Sequence, residues 1–200
     1  WSDSETFAVL EQTDALAVGA NVAFEKIDGK ANITATFAKN DGKESYQYVT
    51  IYPAAGYVSA ESINAATLKL PANQTMASES YDPNADLMVS KVVTATAQPT
   101  EAQQVQFTRL AAVVKMTLKN FNLEAGDEVE KVVFMADGKA LAGTITADLN
   151  APHDFTVAEG VSSVSVATTS ANDVYFNVLP TVLKAGDIYT IVVVTNKKLY

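Results

Sequence analysis

Few residues in this 200-residue chain have the type and spacing to do chemistry. Asp82, Asn84 and Asp86 in "DPNAD" fall at i, i+2 and i+4, the oxygen spacing that opens a calcium-binding loop. The rest of such a loop is missing, because Leu87 stands where the turn needs glycine and Val93 where a bidentate glutamate closes the shell. An Asx turn with Pro83, leading into the next strand, accounts for the same residues. His153, the one histidine, precedes Asp154 in "APHDF" without a Gly-x-Ser-x-Gly elbow, so no hydrolytic triad takes shape around it. With one histidine and no cysteine the usual structural zinc sets cannot be built, and disulfides and thiol nucleophiles are excluded.

The remaining candidates have plain structural readings beside the chemical ones. Arg109 is the only arginine, and in an acidic chain it readily finds a carboxylate or carbonyl to pair with. Twenty-three acidic side chains guarantee close pairs by chance, so no glycosidase pair can be singled out. The nine glycines are scattered singly and form no phosphate-binding loop. Tyr46, Tyr48, Tyr52 and Tyr57 cluster and could stack on sugar rings, or could pack across strands on a sheet face. Asn32 and Asn73 open Asn-x-Thr glycosylation patterns that carry little meaning in a bacterial chain. No residue is assigned as catalytic, cofactor-binding or metal-ligating, no cofactor is expected, and the chain is not expected to be an enzyme.

The elements that hold these residues read as strands. Asp28-Gly29 sits between two β-prone runs in "KIDGKANITATF" (26–37), the pairing of a type I′ hairpin turn. Asp41-Gly42 repeats the device before "SYQYVTIYP" (45–53), and Asp137-Gly138 does so inside "VEKVVFMADGKALAGTITADL" (129–149). In 45–53, Tyr46 and Tyr48 share one face and Val49 and Ile51 the other, with Pro53 ending the strand. "SAESINAATLKL" (59–70) has room for a short helical turn, and "TAQPTEAQ" (96–103) reads as a loop. "VSSVSVATT" (161–169), "DVYFNVLP" (173–180) and "DIYTIVVVT" (187–195) are strands, the apolar run 191–194 reading as a central one covered on both sides.

The stretch "VQFTRLAAVVKMTLKN" (105–120) fits an amphipathic helix or a strand whose alternation slips by one residue. The alternation of Leu110, Ala112, Val114, Met116 and Leu118 favours the strand, with a β-bulge near Thr108-Arg109 placing Arg109 at the sheet rim. About a dozen short strands with recurrent Asp-Gly turns predict an all-β fold, an antiparallel β-sandwich formed by residues 1–200 as a single domain.

Bulk properties narrow the partners. A formal net charge of −9 repels phosphate backbones, so nucleic acid is not an expected partner. No run approaches the roughly 18 apolar residues of a membrane-spanning helix. No signal peptide is visible, and a start at Trp1 instead of methionine reads as a processed or trimmed product.

Four blocks, "WSDSETFAVLE" (1–11), "LKLPANQT…YDPNADLMVSK" (68–91), "VQFTRLAAVVKMTLKN" (105–120) and "LPTVLKAGDIYTIVVVT" (179–195), together resemble the fimbrillin-like family of type V pilus subunits and surface adhesins of Gram-negative bacteria. The resembling features are Trp-x-x-x-(acidic)-x-Phe, Leu-Pro-x-x-Gln before an Asp-Pro loop and an aliphatic strand, and Phe-x-(His or Arg)-x-x-Ala. The resemblance implies a transthyretin-like, Greek-key β-sandwich matching the family's amino-terminal domain, as part of a longer chain. It implies a non-enzymatic fimbrial subunit or adhesin at the cell surface, exported as an outer-membrane lipoprotein and held in the membrane only by a lipid anchor upstream of Trp1. Its partners would be neighbouring pilus subunits, joined by donated strands, or a surface ligand; a carbohydrate-binding surface module is the alternative. Family members are trimmed after an arginine near the first strand, a role for which Arg109, within a predicted core strand, is badly placed. "TNKKLY" (195–200) reads as a hairpin turn whose returning strand has been lost.

Overall fold

The structure is a computed structural model that describes residues 4–119, 122–170 and 172–200. Trp1, Ser2, Asp3 and Asn120 of the family-like blocks lie outside the described residues. In chain order the strands are β1 (Ala8–Gln12), β2 (Leu16–Val18), β3 (Ala20–Ile27), β4 (Lys30–Thr36), β5 (Tyr46–Tyr52), β6 (Tyr57–Ser62), β7 (Ala65–Leu70), β8 (Asn73–Thr75) and β9 (Met88–Ser90). They continue with β10 (Val93–Ala95), β11 (Phe107–Arg109), β12 (Ala112–Thr117), β13 (Val129–Ala136), β14 (Ala142–Ala147), β15 (Thr156–Val161), β16 (Ser163–Ala167), β17 (Asp173–Val178) and β18 (Tyr189–Thr195). The fold is all-β, with mostly antiparallel sheets in the manner of a β-sandwich; the β8–β16 pair is parallel. Two compact units share the chain in interleaved segments.

In the first unit β1 lies between β2 and β5, and β9 and β11 continue the sheet beyond β5. β1 is buried on both faces from Ala8 to Glu11, as the middle of a sheet demands. β9 and β10 are one interrupted strand beside β5. Where the ladder breaks, the Ser90 hydroxyl accepts the Thr50 main-chain N–H at 2.9 Å. Phe7 anchors the core, its ring 5.2 Å from Tyr52, 5.6 Å from Phe24 and 6.0 Å from Phe107. Glu5 accepts a hydrogen bond from the Tyr52 hydroxyl at 2.5 Å. The acidic and aromatic positions of the first family-like block, and Phe107 of the third, therefore meet in one cluster.

In the second unit β13 lies between β16 and β18, β12 pairs with β17, and β14 with β15. Its core gathers Val132, Leu141, Val164, Val166, Val174 and Phe176. Gly143, at φ +128°, passes so close to β15 that a Cβ there would stand 2.0 Å from the Glu159 carbonyl oxygen. The last residues fold back on β18, with Tyr200 and Val193 exchanging main-chain hydrogen bonds of 2.9 and 3.1 Å. The Tyr200 hydroxyl donates to Asp127 and Lys197 lies 3.2 Å from it, which holds that carboxyl below its ordinary range.

Several expectations change. Asp28-Gly29 does form a hairpin turn, at φ 50° and 76°, between β3 and β4. Asp41-Gly42 and Asp137-Gly138 are turns but not hairpins, since β5 pairs with β1, β9 and β10, and β13 with β16 and β18. Residues 59–70 hold no helical turn; they are the β6–β7 hairpin around Ile63 and Asn64. Residues 105–119 hold two strands and no helix, yet the slip is not a bulge. β11 pairs with β9 in the first unit and β12 with β17 in the second, the change falling at Leu110 and Ala111. The returning segment after β18 is present as Lys198–Tyr200, and β18 is the outer strand of its sheet, with Ile191 43% exposed, not a covered central one.

Gln74, from the Leu-Pro-x-x-Gln element, does the work of a neighbouring strand. Its side-chain amide donates to the Asn177 carbonyl at 2.7 Å, and its side-chain oxygen accepts the Asn177 N–H at 2.9 Å. The Asn177 side-chain amide is itself buried and, among the described residues, has no hydrogen-bond partner. Gln74→Leu orphans two buried main-chain groups and should cost about 2–4 kcal/mol in urea unfolding. Asn177→Leu removes a group that is already unsatisfied and should fall within about 1 kcal/mol of the parent, or above it.

Candidate functional site

The structure scatters the residues singled out from the sequence. Asp82 spends one carboxylate oxygen on the Asn84 N–H and the other on the Thr75 N–H, both at 2.9 Å, and caps the 3-10 turn Pro83–Ala85. Asp86 accepts from the Tyr81 hydroxyl at 3.1 Å. These are the Asx/Pro-turn geometries, and among the described residues no group of three or more His, Cys, Asp or Glu side chains could hold a metal ion. His153 is exposed in the turn at 151–154. Arg109 ends β11, an outer strand, opposite Met88 and facing solvent.

The tyrosine cluster does not form a platform. Tyr46 and Tyr52 are buried, at 2% and 3% exposure, and Tyr57 is half-buried on β6. Of the two readings of the cluster, packing within the sheet is the one Tyr46 and Tyr52 follow, while Tyr48 is only partly covered.

Tyr48 has a different role. A cavity of about 550 Å³ opens beside it in the first unit. Residues 31–35 and Phe37 form one wall and residues 98–103 the other, over a floor that includes Val9, Glu11, Tyr48 and Thr50. β1 and β5 set the floor in register, Glu11 lying opposite Tyr48. Glu11 is only 3% exposed. One of its carboxylate oxygens, Oε2, accepts from the Tyr48 hydroxyl at 2.6 Å and from the Gln98 amide at 3.1 Å. Gln98 also donates to the Ala38 carbonyl at 3.0 Å and accepts the Asn40 N–H at 3.3 Å, which ties the loop 98–103 to the chain leaving β4. Phe37 meets the Tyr48 ring edge-on at 5.9 Å.

Burial, then the hydrogen bond and charge of Glu11, push the Tyr48 phenol well above its ordinary range. The phenol therefore stays a donor at neutral pH and keeps Glu11 Oε2 satisfied. Both charged residues of the lining, Glu11 and Glu101, are acids; it contains no Lys, Arg or His. Sequence reasoning passed over Glu11 and Gln98, which lie 87 positions apart. The one local signal was a carboxylate inside an otherwise apolar β-run, "FAVLEQ".

No protein-family model matches the sequence, and none of the curated proteins does. Among solved structures, the chain is similar to a protein of Bacteroides uniformis named for a suggested role in cell adhesion. That match has 15% identity and a TM-score of 0.60, covering 100% of this chain and 78% of that one. A protein of Bacteroides ovatus named for a suggested role as an adhesin matches at 11% identity and a TM-score of 0.45, over 96% of this chain and 66% of that one. At 15% identity the first likeness establishes a shared fold.

Because the folded state holds the proton on Tyr48, stability is fully present below the unfolded tyrosine range near pH 10 and falls as pH rises beyond it. Tyr48→Phe should flatten that alkaline decline, measured as urea midpoint against pH. At neutral pH the same variant should cost about 1–3 kcal/mol, because a buried carboxylate loses a donor.

Proposed function

We propose that this chain is a non-enzymatic cell-surface protein, a fimbrial subunit or adhesin that assembles by accepting a donated β-strand. In this reading its sandwich has the transthyretin-like Greek-key form and serves as the amino-terminal domain of a longer, exported chain. That chain is a lipoprotein of the outer membrane of a Gram-negative cell, anchored by a lipid upstream of Trp1. Its partners are neighbouring pilus subunits or a ligand on another surface. The likeness to the Bacteroides uniformis structure and the four family-like blocks support this class.

The observation that carries the assembly step is the margin of β18. One side of β18 is paired with β13, and on the other Tyr200 exchanges main-chain hydrogen bonds with Val193. Among the described residues, positions 189–192 make no main-chain hydrogen bond on that outer side. Around this margin Ile188 is 66%, Tyr189 41% and Ile191 43% exposed, and Val182, Leu183 and Leu199 are exposed as well. An unpaired strand edge fringed with apolar side chains is a template for another strand, which would complete the ladder and cover the side chains together. Such a head-to-tail contact builds a filament instead of a closed ring.

The test is assembly of the full-length mature protein, read as ladders on gels run without boiling. Ile191→Lys places a charge on the open edge and should abolish the ladders, with the monomer's stability changed by no more than about 1 kcal/mol. Strictly monomeric protein, or ladders unaffected by the lysine, removes the assembly step and leaves an adhesin only.

A further inference from the structure

We infer that the cavity beside β4 is a binding site for an extended peptide segment, with a lysine or arginine side chain of that segment seated on Glu11. Three observations carry this. The first is the wall. Residues 31–35 line the cavity consecutively, so side chains of both alternations border it, as happens when a cavity runs along the edge of a strand and not over one face. β4 pairs with β3 on its other side and, among the described residues, has no main-chain partner on this one. A peptide laid there gains a ladder of main-chain hydrogen bonds.

The second is the floor. Glu11 is almost wholly buried, lines the cavity, and spends Oε2 on Tyr48 and Gln98, both neutral donors. Among the described residues Oε1 accepts no hydrogen bond, and it is not sealed from the cavity. Buried carboxylates are ordinarily paired with a cation. Among the described residues this one has none, and the lining offers none. A ligand's ammonium or guanidinium is the missing partner. The third is size and chemistry. About 550 Å³ holds a few residues in extended form, and Asn32, Thr34, Thr100 and Gln103 add polar groups to the lining. The site uses residues of the first unit alone, and a monomer can fill it whether or not the protein polymerises.

Fluorescence anisotropy with a labelled heptapeptide, Thr-Val-Thr-Lys-Thr-Val-Thr, tests the site on the full chain. Wild-type protein should bind it at least about tenfold more tightly than the same peptide with norleucine at the centre. Glu11→Gln should erase that preference while circular dichroism shows an unchanged fold. Methylating alternate main-chain nitrogens of the lysine peptide should abolish binding, an arm that needs no protein variant. Equal binding of the lysine and norleucine peptides overturns the inference. So does a preference that survives in Glu11→Gln, or undiminished binding of the methylated peptide. If the lysine peptide fails to bind while glucosamine does, the site belongs to an amino sugar and the peptide reading falls.

Discussion

Every main-chain N–H and C=O taken out of water in this chain needs a partner, and the strands are too short and too often interrupted to supply all of them. Side chains fill the gaps. Ser90 accepts the Thr50 N–H where β9 gives way to β10, and Gln12 accepts the Ile63 N–H in the turn between β6 and β7. Asp82 accepts the Thr75 N–H beside the three-residue β8, and Gln74 closes both main-chain groups of Asn177. Each substitute is a polar side chain, and Ser90, Gln74 and Asp82 are themselves buried. Strands of three residues persist in the fold because these side chains stand in for missing neighbours.

The same constraint explains which parts of the fold were legible. Asp28-Gly29 could be read as a hairpin because turn chemistry and pairing are both local there: among the described residues β3 and β4 pair only with each other. Asp41-Gly42 and Asp137-Gly138 have the same turn chemistry, yet the strands after them pair elsewhere in the chain. A turn dipeptide sets how the backbone bends, not what the next strand meets. The slip at 105–120 shows the limit from another side. A bulge and a strand passing from one sheet to another both shift the alternation by one residue, and only the partners, Met88 to Ser90 against Asp173 to Val178, separate them. The apolar run 191–194 suggested a covered strand, but a run of valines equally marks an outer strand whose margin is left apolar.

The site was hidden for a related reason. Tyr46, Tyr48 and Tyr52 were visible as a cluster because they are neighbours in sequence, but on their shared face of β5 Tyr46 and Tyr52 are buried and only Tyr48 is partly open. What distinguishes Tyr48 is its partner Glu11 across the β1–β5 ladder, and Gln98 from a loop far along the chain. Acid count alone gave no way to choose among twenty-three candidates. Burial chooses: Glu11 sits at the centre of a sheet, and its neighbours satisfy it only in part.

Assignment of the family-like blocks to structural duties gives the resemblance physical content. Glu5 and Phe7 tie the first strand to Tyr52, Phe107 joins that cluster from β11, and Leu110, fully buried, binds its N–H to the Leu87 carbonyl at 2.8 Å. Gln74 and Asp82 meet the main-chain needs of β17 and β8. All of these are solutions to packing and hydrogen bonding, so a chain could keep them while changing everything it touches. Function in such a scaffold is free to vary at the places the blocks do not fix: the open edge of β18, with its apolar fringe, and the acid-floored cavity beside β4. Under the two proposals each would take an extended strand from another chain, and neither change would disturb the packing that the blocks fix.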